Sequence, residues 1–243
     1  MGAYFSSIYH FFFHPKAIAN TAEPAKAKFS WEQRSETLNK KDYILDKLKD
    51  QTIIRLPGQI NGQQFIIQNC ESCTIYIFDH VGQIQIDDCK HCKIFIGPVK
   101  GSLFIRDSQN CSLATICQQF RTRDCHELNV FLSCVSQPII ESSHHIRFGC
   151  LMYKYDKLVE QYASAGISSF NNNWSNIYDF TAIPGSKNYS LLEENEKVFN
   201  NIPAPTDPSC NDLNVTDDQN QSVTPFTYGE LYRTRNDEVN MTK

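Results

Sequence analysis

From residue 51 to residue 150 the chain alternates apolar and polar positions in short runs broken by polar turns. Little of it shows the three-to-four-residue spacing of an amphipathic helix. Four of the runs align: Ile67-Gln68-Asn69-Cys70, Ile86-Asp87-Asp88-Cys89, Ile105-Arg106-Asp107-Ser108 and Thr122-Arg123-Asp124-Cys125, with a weaker copy ending at Ile140-Glu141-Ser142. The turn residues Asn69, Asp88, Asp107, Asp124 and Glu141 step by 19, 19, 17 and 17. β-branched or aromatic runs follow the turns, as at residues 75–78, 94–96 and 130–132. Helical repeats need longer periods, and the L-x-x-L-x-L frame of leucine-rich repeats is absent. The pattern predicts a mainly β chain folded as a parallel β-helix, in which each coil is stable only because the next one stacks on it.

Stacking the repeats places residues in columns. Phe65, Ile84, Leu103 and Phe120 share one, and Ile67, Ile86, Ile105 and Thr122 share another two residues on. Strand alternation sends both inward. The column between them, Ile66, Gln85, Phe104, Arg121 and Pro138, then points out. Adjacent coils lie about 4.8 Å apart. Gly101-Ser102 therefore sits beside Gln118-Gln119, and Arg121 beside Phe104. One exposed patch gathers two amides, a guanidinium and a glycine-marked backbone. The turn column reads as a ladder of side chains bonding local N–H groups.

The flanks differ. Residues 1–28 are an aromatic cluster and an Ala/Lys/Pro linker, and residues 29–50 read as a polar, helical lead-in to a domain spanning 29–199. Over residues 151–165, Tyr155, Leu158, Val159 and Tyr162 recur at helical spacing, with Gly166 placed to end the helix. That C-terminal helix is expected to face the core and cover the end of the β-helix. Residues 200–243 are rich in Pro, Asp, Asn and Thr and read as a disordered acidic tail. They hold seven acids against three bases, which accounts for the whole net charge of −4. No run of 18 apolar residues predicts a spanning helix.

Nine of the ten cysteines lie between Cys70 and Cys150. No Lys or Arg precedes Lys16 and His10 interrupts the first apolar run, so no secretory leader is expected. A cytoplasmic, reducing setting with free thiols packed as small groups follows. Cys70-x-x-Cys73 and Cys89-x-x-Cys92 have a zinc-like form. Their spacing equals the structural repeat, however, and the later copies drift to Ser108-x-x-Cys111 and Cys125-x-x-Leu128. A packed ladder explains that drift and a ligand set does not, so no metal is expected. The histidines likewise show no ligand spacing.

Longer strings carry a resemblance. Residues 69–80 (NCESCTIYIFDH), 96–102 (IGPVKGS), 117–125 (CQQFRTRDC), 137–143 (QPIIESS) and 170–177 (FNNNWSNI) resemble the tubulin-binding cofactor C, or C-CAP, domain family, over about residues 29–192. The resemblance implies a right-handed parallel β-helix. It further implies a GTPase-activating protein for an Arf-like small GTPase, with the arginine finger on Arg121 and Gln118 and Gln119 beside the nucleotide. Gly101, Ser102 and Phe120 would also lie near the nucleotide, and Glu141 and Phe180 on the GTPase-binding face. The cofactors, GTP and Mg²⁺, would belong to the partner. Release of lipidated cargo at the cilium or basal body, or on the cytoplasmic face of the plasma membrane, is the implied setting. Two departures stand out. Similar members continue into a nucleoside-diphosphate-kinase-like domain where this sequence has its acidic stretch, and they carry a cysteine where Ala3 stands here.

Arg121 has two readings. It is either a solvated arginine on a β-helix face or a finger that stabilises charge on a transferring γ-phosphate. Arg123 abuts Asp124 and reads as one half of a structural ion pair. Met1-Gly2-x-x-x-Ser6 fits N-myristoylation of Gly2. One myristoyl chain holds a membrane only marginally, so Tyr4, Phe5, Ile8, Tyr9, Phe11, Phe12 and Phe13 are expected either to add a second contact or to pack on the domain. No phosphate-binding G-x-x-x-x-G-K-[ST] loop is present, so any GTPase chemistry would occur in trans. The alternative is a non-catalytic module on the same fold that binds tubulin, actin or a GTPase.

Overall fold

A computed structural model describes residues 39–193 and 196–216. Gly2, the amino-terminal aromatic cluster and the acidic stretch beyond Thr216 lie outside them. The strands are β1 (Ile44–Asp46), β2 (Thr52–Arg55), β3 (Gln64–Gln68), β4 (Thr74–Ile77), β5 (Gln83–Asp87), β6 (Lys93–Arg106), β7 (Gln109–Arg123), β8 (His126–Cys134), β9 (Ile139–Glu141), β10 (His144–Cys150), β11 (Tyr178–Asp179) and β12 (Tyr189–Leu191). Every pairing between them is parallel. The chain winds as a β-solenoid of about 6 turns, as the period predicted. Of the lead-in expected to be helical, residues 29–38 lie outside the described ones, and the rest forms a 3₁₀ turn at Lys40–Tyr43 running straight into β1.

The inward columns are those read from the sequence. Phe65 pairs with Ile84, Ile84 with Leu103 and Leu103 with Phe120, while Ile67, Ile86, Ile105 and Thr122 form the companion column. All eight side chains are buried. The fall from 19 to 17 residues per coil has a local cause. β6 meets β7 with two register shifts, between Ile96 and Pro98 and between Val99 and Ser102. Each shift leaves one residue of β6 unmatched, which is how a bulge shortens the following coil.

The turn column owes its composition to backbone geometry. Asn69, Asp88, Asp107, Asp124 and Ser142 all have positive φ, between 46° and 55°. Asn and Asp tolerate that left-handed conformation better than other side chains do. The ladder is therefore one of backbone conformation, and not of side chains capping local N–H groups. Its fifth member is Ser142, one residue beyond the expected Glu141. The next residue in each coil is small and donates inward: Cys70 Sγ to the Gln68 carbonyl at 3.3 Å, Cys89 to Asp87 at 3.4 Å, Ser108 Oγ to Arg106 at 2.7 Å, Cys125 to Arg123 at 3.2 Å and Ser143 to Glu141 at 2.8 Å. Each of these carbonyls also accepts a backbone N–H from the preceding coil, Gln68 from Lys47 and Asp87 from Asn69 for example, so the thiol or hydroxyl takes up its second acceptor site. All ten cysteines are free, and nine are buried. Burial pushes the Cys125 thiol up to about 11 and holds Cys117 well above the usual thiol range, so both stay protonated.

The apolar runs at 75–78 and 94–96 lie in strands covered on both faces. Tyr76, Phe95, Ala114 and Phe131 form an outward column that is nevertheless buried. Its cover is helix α1 (Leu158–Ala165) with the segment that carries helix α2 (Val198–Asn201) and a 3₁₀ turn at Pro208–Leu213. α1 starts at Leu158, later than expected, and ends at Gly166 as expected, with φ 66° there. It lies along the side of the solenoid and not over its end. Gln161 replaces Val159 on its buried face, donating to the Phe78 carbonyl at 2.8 Å and accepting from the Tyr155 hydroxyl; Val159 is 39% exposed. Residues 202–213, expected to belong to the tail, are part of this cover. Ile202, Cys210 and Leu213 are buried in this cover, and Tyr76 donates to the Pro203 carbonyl at 2.7 Å.

Candidate functional site

The outward column of the solenoid runs Ile66, Gln85, Phe104, Arg121, Ile139 and Tyr178. The sequence put Pro138 in the fifth place. That residue is buried instead, because the connection from β8 to β9 lengthens the step on this face to 18, and Ile139 takes the outward position. Arg121 therefore lies between Phe104 and Ile139, about 4.8 Å from each along the column.

β6 and β7 position the flanking amides. Beyond the second shift, Ser102 pairs with Gln119, and the Ser102 hydroxyl donates to Gln119 Oε1 at 3.1 Å. Gly101 donates its N–H to the Gly82 carbonyl at 2.8 Å. A Cβ on Gly101 would stand 2.9 Å from that same oxygen, so any larger residue would force the coils apart. Gln118 is half-buried, its carbonyl accepting from the Ser136 amide at 3.0 Å, whereas Gln119 is exposed. Phe120, expected near the nucleotide, points the other way. Its ring is buried edge-on to Phe148 with centroids 5.8 Å apart, so only its backbone belongs to the surface.

Three arginines crowd this face, and two are occupied. Arg106 grips Asp87 with a two-pronged contact, Nε to Oδ1 and a terminal nitrogen to Oδ2, both at 2.7 Å. It also lies 5.4 Å from the centre of the Phe104 ring. The hydrogen bond to Asp87, more than its charge, raises the guanidinium pKa further. Arg123 sits 3.3 Å from Asp124, as its position suggested, but the two side chains are 43% and 51% exposed. A pair that wet adds little stability. Arg121 is exposed, and among the described residues nothing accepts a hydrogen bond from its guanidinium or pairs with its charge. Glu141 is half-buried in register with Arg123, and Phe180 is 65% exposed, its N–H donating to the Ile140 carbonyl at 2.8 Å.

The structure thus brings Ser102, Gln119, Arg121, Glu141 and Phe180 onto one face. Sequence reasoning missed the Asp87–Arg106 grip and the place of Tyr178 in the column. The first was visible as opposite charges in register 19 residues apart. The second was not, because a long excursion separates β9 from β11.

Residues 62–180 match the tubulin binding cofactor C family, and the chain carries a domain of that family. Within the family it is XRP2-like: it is 54% identical over 208 residues to Protein XRP2 of Homo sapiens, covering 86% of this chain and 59% of that protein. The chain thus spans under two thirds of the length of that relative. It is also similar to Tubulin-specific chaperone C of Homo sapiens, 26% identical over 153 residues, covering 62% of this chain and 44% of that protein. A solved structure of Tubulin Binding Cofactor C from Leishmania major superposes with a TM-score of 0.40 at 23% identity, covering 47% of this chain and 81% of that one.

Proposed function

We propose that the chain is a GTPase-activating protein that inserts Arg121 into the active site of a GTP-bound Arf-like small GTPase. One observation carries the reading: of three arginines on the face, Arg106 is gripped by Asp87 and Arg123 lies 3.3 Å from Asp124, while among the described residues Arg121 has no partner. An exposed guanidinium flanked by apolar neighbours is poised to meet charge that arrives from outside. Charge building on a γ-phosphate during transfer is such a target, and a planar donor fork suits its oxygens. Gln119 shares its face and the half-buried Gln118 precedes it, and amides there can orient the attacking water or the glutamine of the GTPase. GTP and Mg²⁺ belong to the partner, and the chain contributes side chains in trans. Myristoylation of Gly2 would bring this chemistry to the cytoplasmic face of a membrane, at the plasma membrane or the cilium, where delivery of lipidated proteins is the associated process.

The test is single-turnover GTP hydrolysis with a panel of Arf-like GTPases. Arg121→Ala should lower stimulated hydrolysis by about 10³-fold or more while melting stays unchanged. Wild-type stimulation by the folded variant would remove the reading. A second reading, a scaffold that binds tubulin without catalysis, draws on similarity to a protein named as a tubulin-specific chaperone. Saturable tubulin binding that is blind to Arg121→Ala, with no stimulation of any GTPase, would favour it.

A further inference from the structure

The most exposed large apolar side chains among the described residues are Ile183 at 69% and Phe180 at 65%. Both stand on the loop between β11 and β12, and polar contacts fix this loop at its base and its tip. At the base, Asp179 accepts from the Thr181 amide at 3.0 Å through Oδ1 and from Asn188 Nδ2 at 2.8 Å through Oδ2. The Thr181 hydroxyl in turn accepts from the Ser142 amide at 2.8 Å, tying the loop to the preceding coil. At the tip, Ile183-Pro184-Gly185-Ser186 closes as a turn. The Ser186 amide donates to the Ile183 carbonyl at 3.0 Å, and the Ser186 hydroxyl contacts both the amide and the carbonyl of Ile183. Proline at the second place and glycine with φ 87° at the third are the residues a type II turn requires. The constrained backbone holds both apolar side chains in water.

The position of the loop supplies the occupant. Tyr178 follows Ile139 and Arg121 in the outward column, about 9.6 Å from Arg121 by strand spacing. The Phe180 ring meets the Tyr178 ring edge-on with centroids 6.4 Å apart. The loop is thus the continuation of the Arg121 face. If Arg121 reaches a γ-phosphate, this face lies against the GTPase segments that only GTP orders. We propose that Ile183, held by the Pro184-Gly185 turn, is a second apolar anchor beside Phe180 for the GTP-bound GTPase, and contributes to affinity rather than to chemistry. The inference rests on the finger reading of Arg121. Preorganisation matters here because an anchor already ordered in the free protein costs little entropy on binding. A few side chains that become fully buried on binding carry a large share of interface energy.

The experiment titrates the chain against an Arf-like GTPase, measuring binding with a non-hydrolysable GTP analogue and single-turnover rate with GTP. Ile183→Ser should raise the half-saturating concentration about tenfold, equivalent to about 1.4 kcal/mol, and leave the saturating rate within about twofold. Ile183→Leu should recover most of the affinity, and neither variant should change melting. Arg121→Ala should show the reverse split. If wild type stimulates hydrolysis and Ile183→Ser binds equally well, the anchor is wrong while the finger reading stands. If wild type neither binds nor stimulates, both fall. If Ile183→Ser abolishes self-association of the chain seen by light scattering, with GTPase affinity unmoved, the loop serves a second copy and the inference fails.

Discussion

At the scale of single residues, the chain separates side chains that hold the solenoid from side chains that are left outside it. Phe120 and Arg121 are adjacent and opposite in this respect. Phe120→Ala should cost about 3–5 kcal/mol, since it opens a cavity beside Phe148, and chemical denaturation would show it as a lower midpoint. The two flanking arginines should also differ from each other. Arg106→Ala leaves the Asp87 carboxylate, only 16% exposed, without its partner, and should destabilise by about 1–3 kcal/mol. Arg123→Ala should cost less than about 1 kcal/mol because its pair is wet. A larger loss for Arg123 than for Arg106 would reverse this ranking. The sequence made Arg123 the structural arginine because Asp124 is its neighbour; proximity in the chain was visible, but exposure was not. The outward column was legible from Ile66 to Arg121, because the aligned turn motifs fix its register, and failed at Pro138, where the step lengthens to 18.

Among the elements, the strands were legible and the helices much less so. Strands β3, β5, β6 and β7 repeat the same inward pair, so each confirms the register of the next. α1 has no such repetition. Tyr155 satisfies the helical spacing although it lies before the helix, and Gln161, polar by type, is the residue that faces inward. Its reason is specific: Gln161 satisfies the Phe78 carbonyl and the Tyr155 hydroxyl inside an aromatic cluster. Gln161→Leu should therefore destabilise by about 1–3 kcal/mol despite the gain in apolarity. A variant that melts at or above wild type would show that these two groups find other partners. The same cover makes a prediction for alkaline pH. Burial pushes the phenols of Tyr76 and Tyr162 up to about 12 from the ordinary 10.0. A raised folded-state pKa means that both groups stabilise the fold fully below pH 10 and lose that contribution as pH rises toward 12. Denaturation midpoints should fall across that window, and Tyr162→Phe should flatten the fall.

For the whole molecule, the boundary of the domain is the main departure from the sequence reading. Residues 202–213 look like linker because they offer few apolar side chains and three prolines, Pro203, Pro205 and Pro208. Their partner surface, Tyr76, Phe95 and Phe131, lies far upstream, and composition of the segment alone could not reveal it. Ending the chain after Asn200 should lower the melting temperature, because Ile202, Cys210 and Leu213 leave an aromatic face bare. Ile202→Ala alone should cost about 2–5 kcal/mol by the same mechanism. An unchanged melting curve for the shortened chain would return the boundary to residue 199. The two shifts in β6 have a wider consequence. From β3 to β6 the coils step by 19 residues, and from β7 to β8 by 17. Removing a 19-residue turn upstream, residues 64–82 for instance, would join coils of equal step and should leave the register of β6 with β7 as it is. Removing one across the change would mismatch both neighbours. The solenoid is thus a ruler whose upstream part tolerates shortening by whole divisions, with its working edge fixed at the place where the graduation changes.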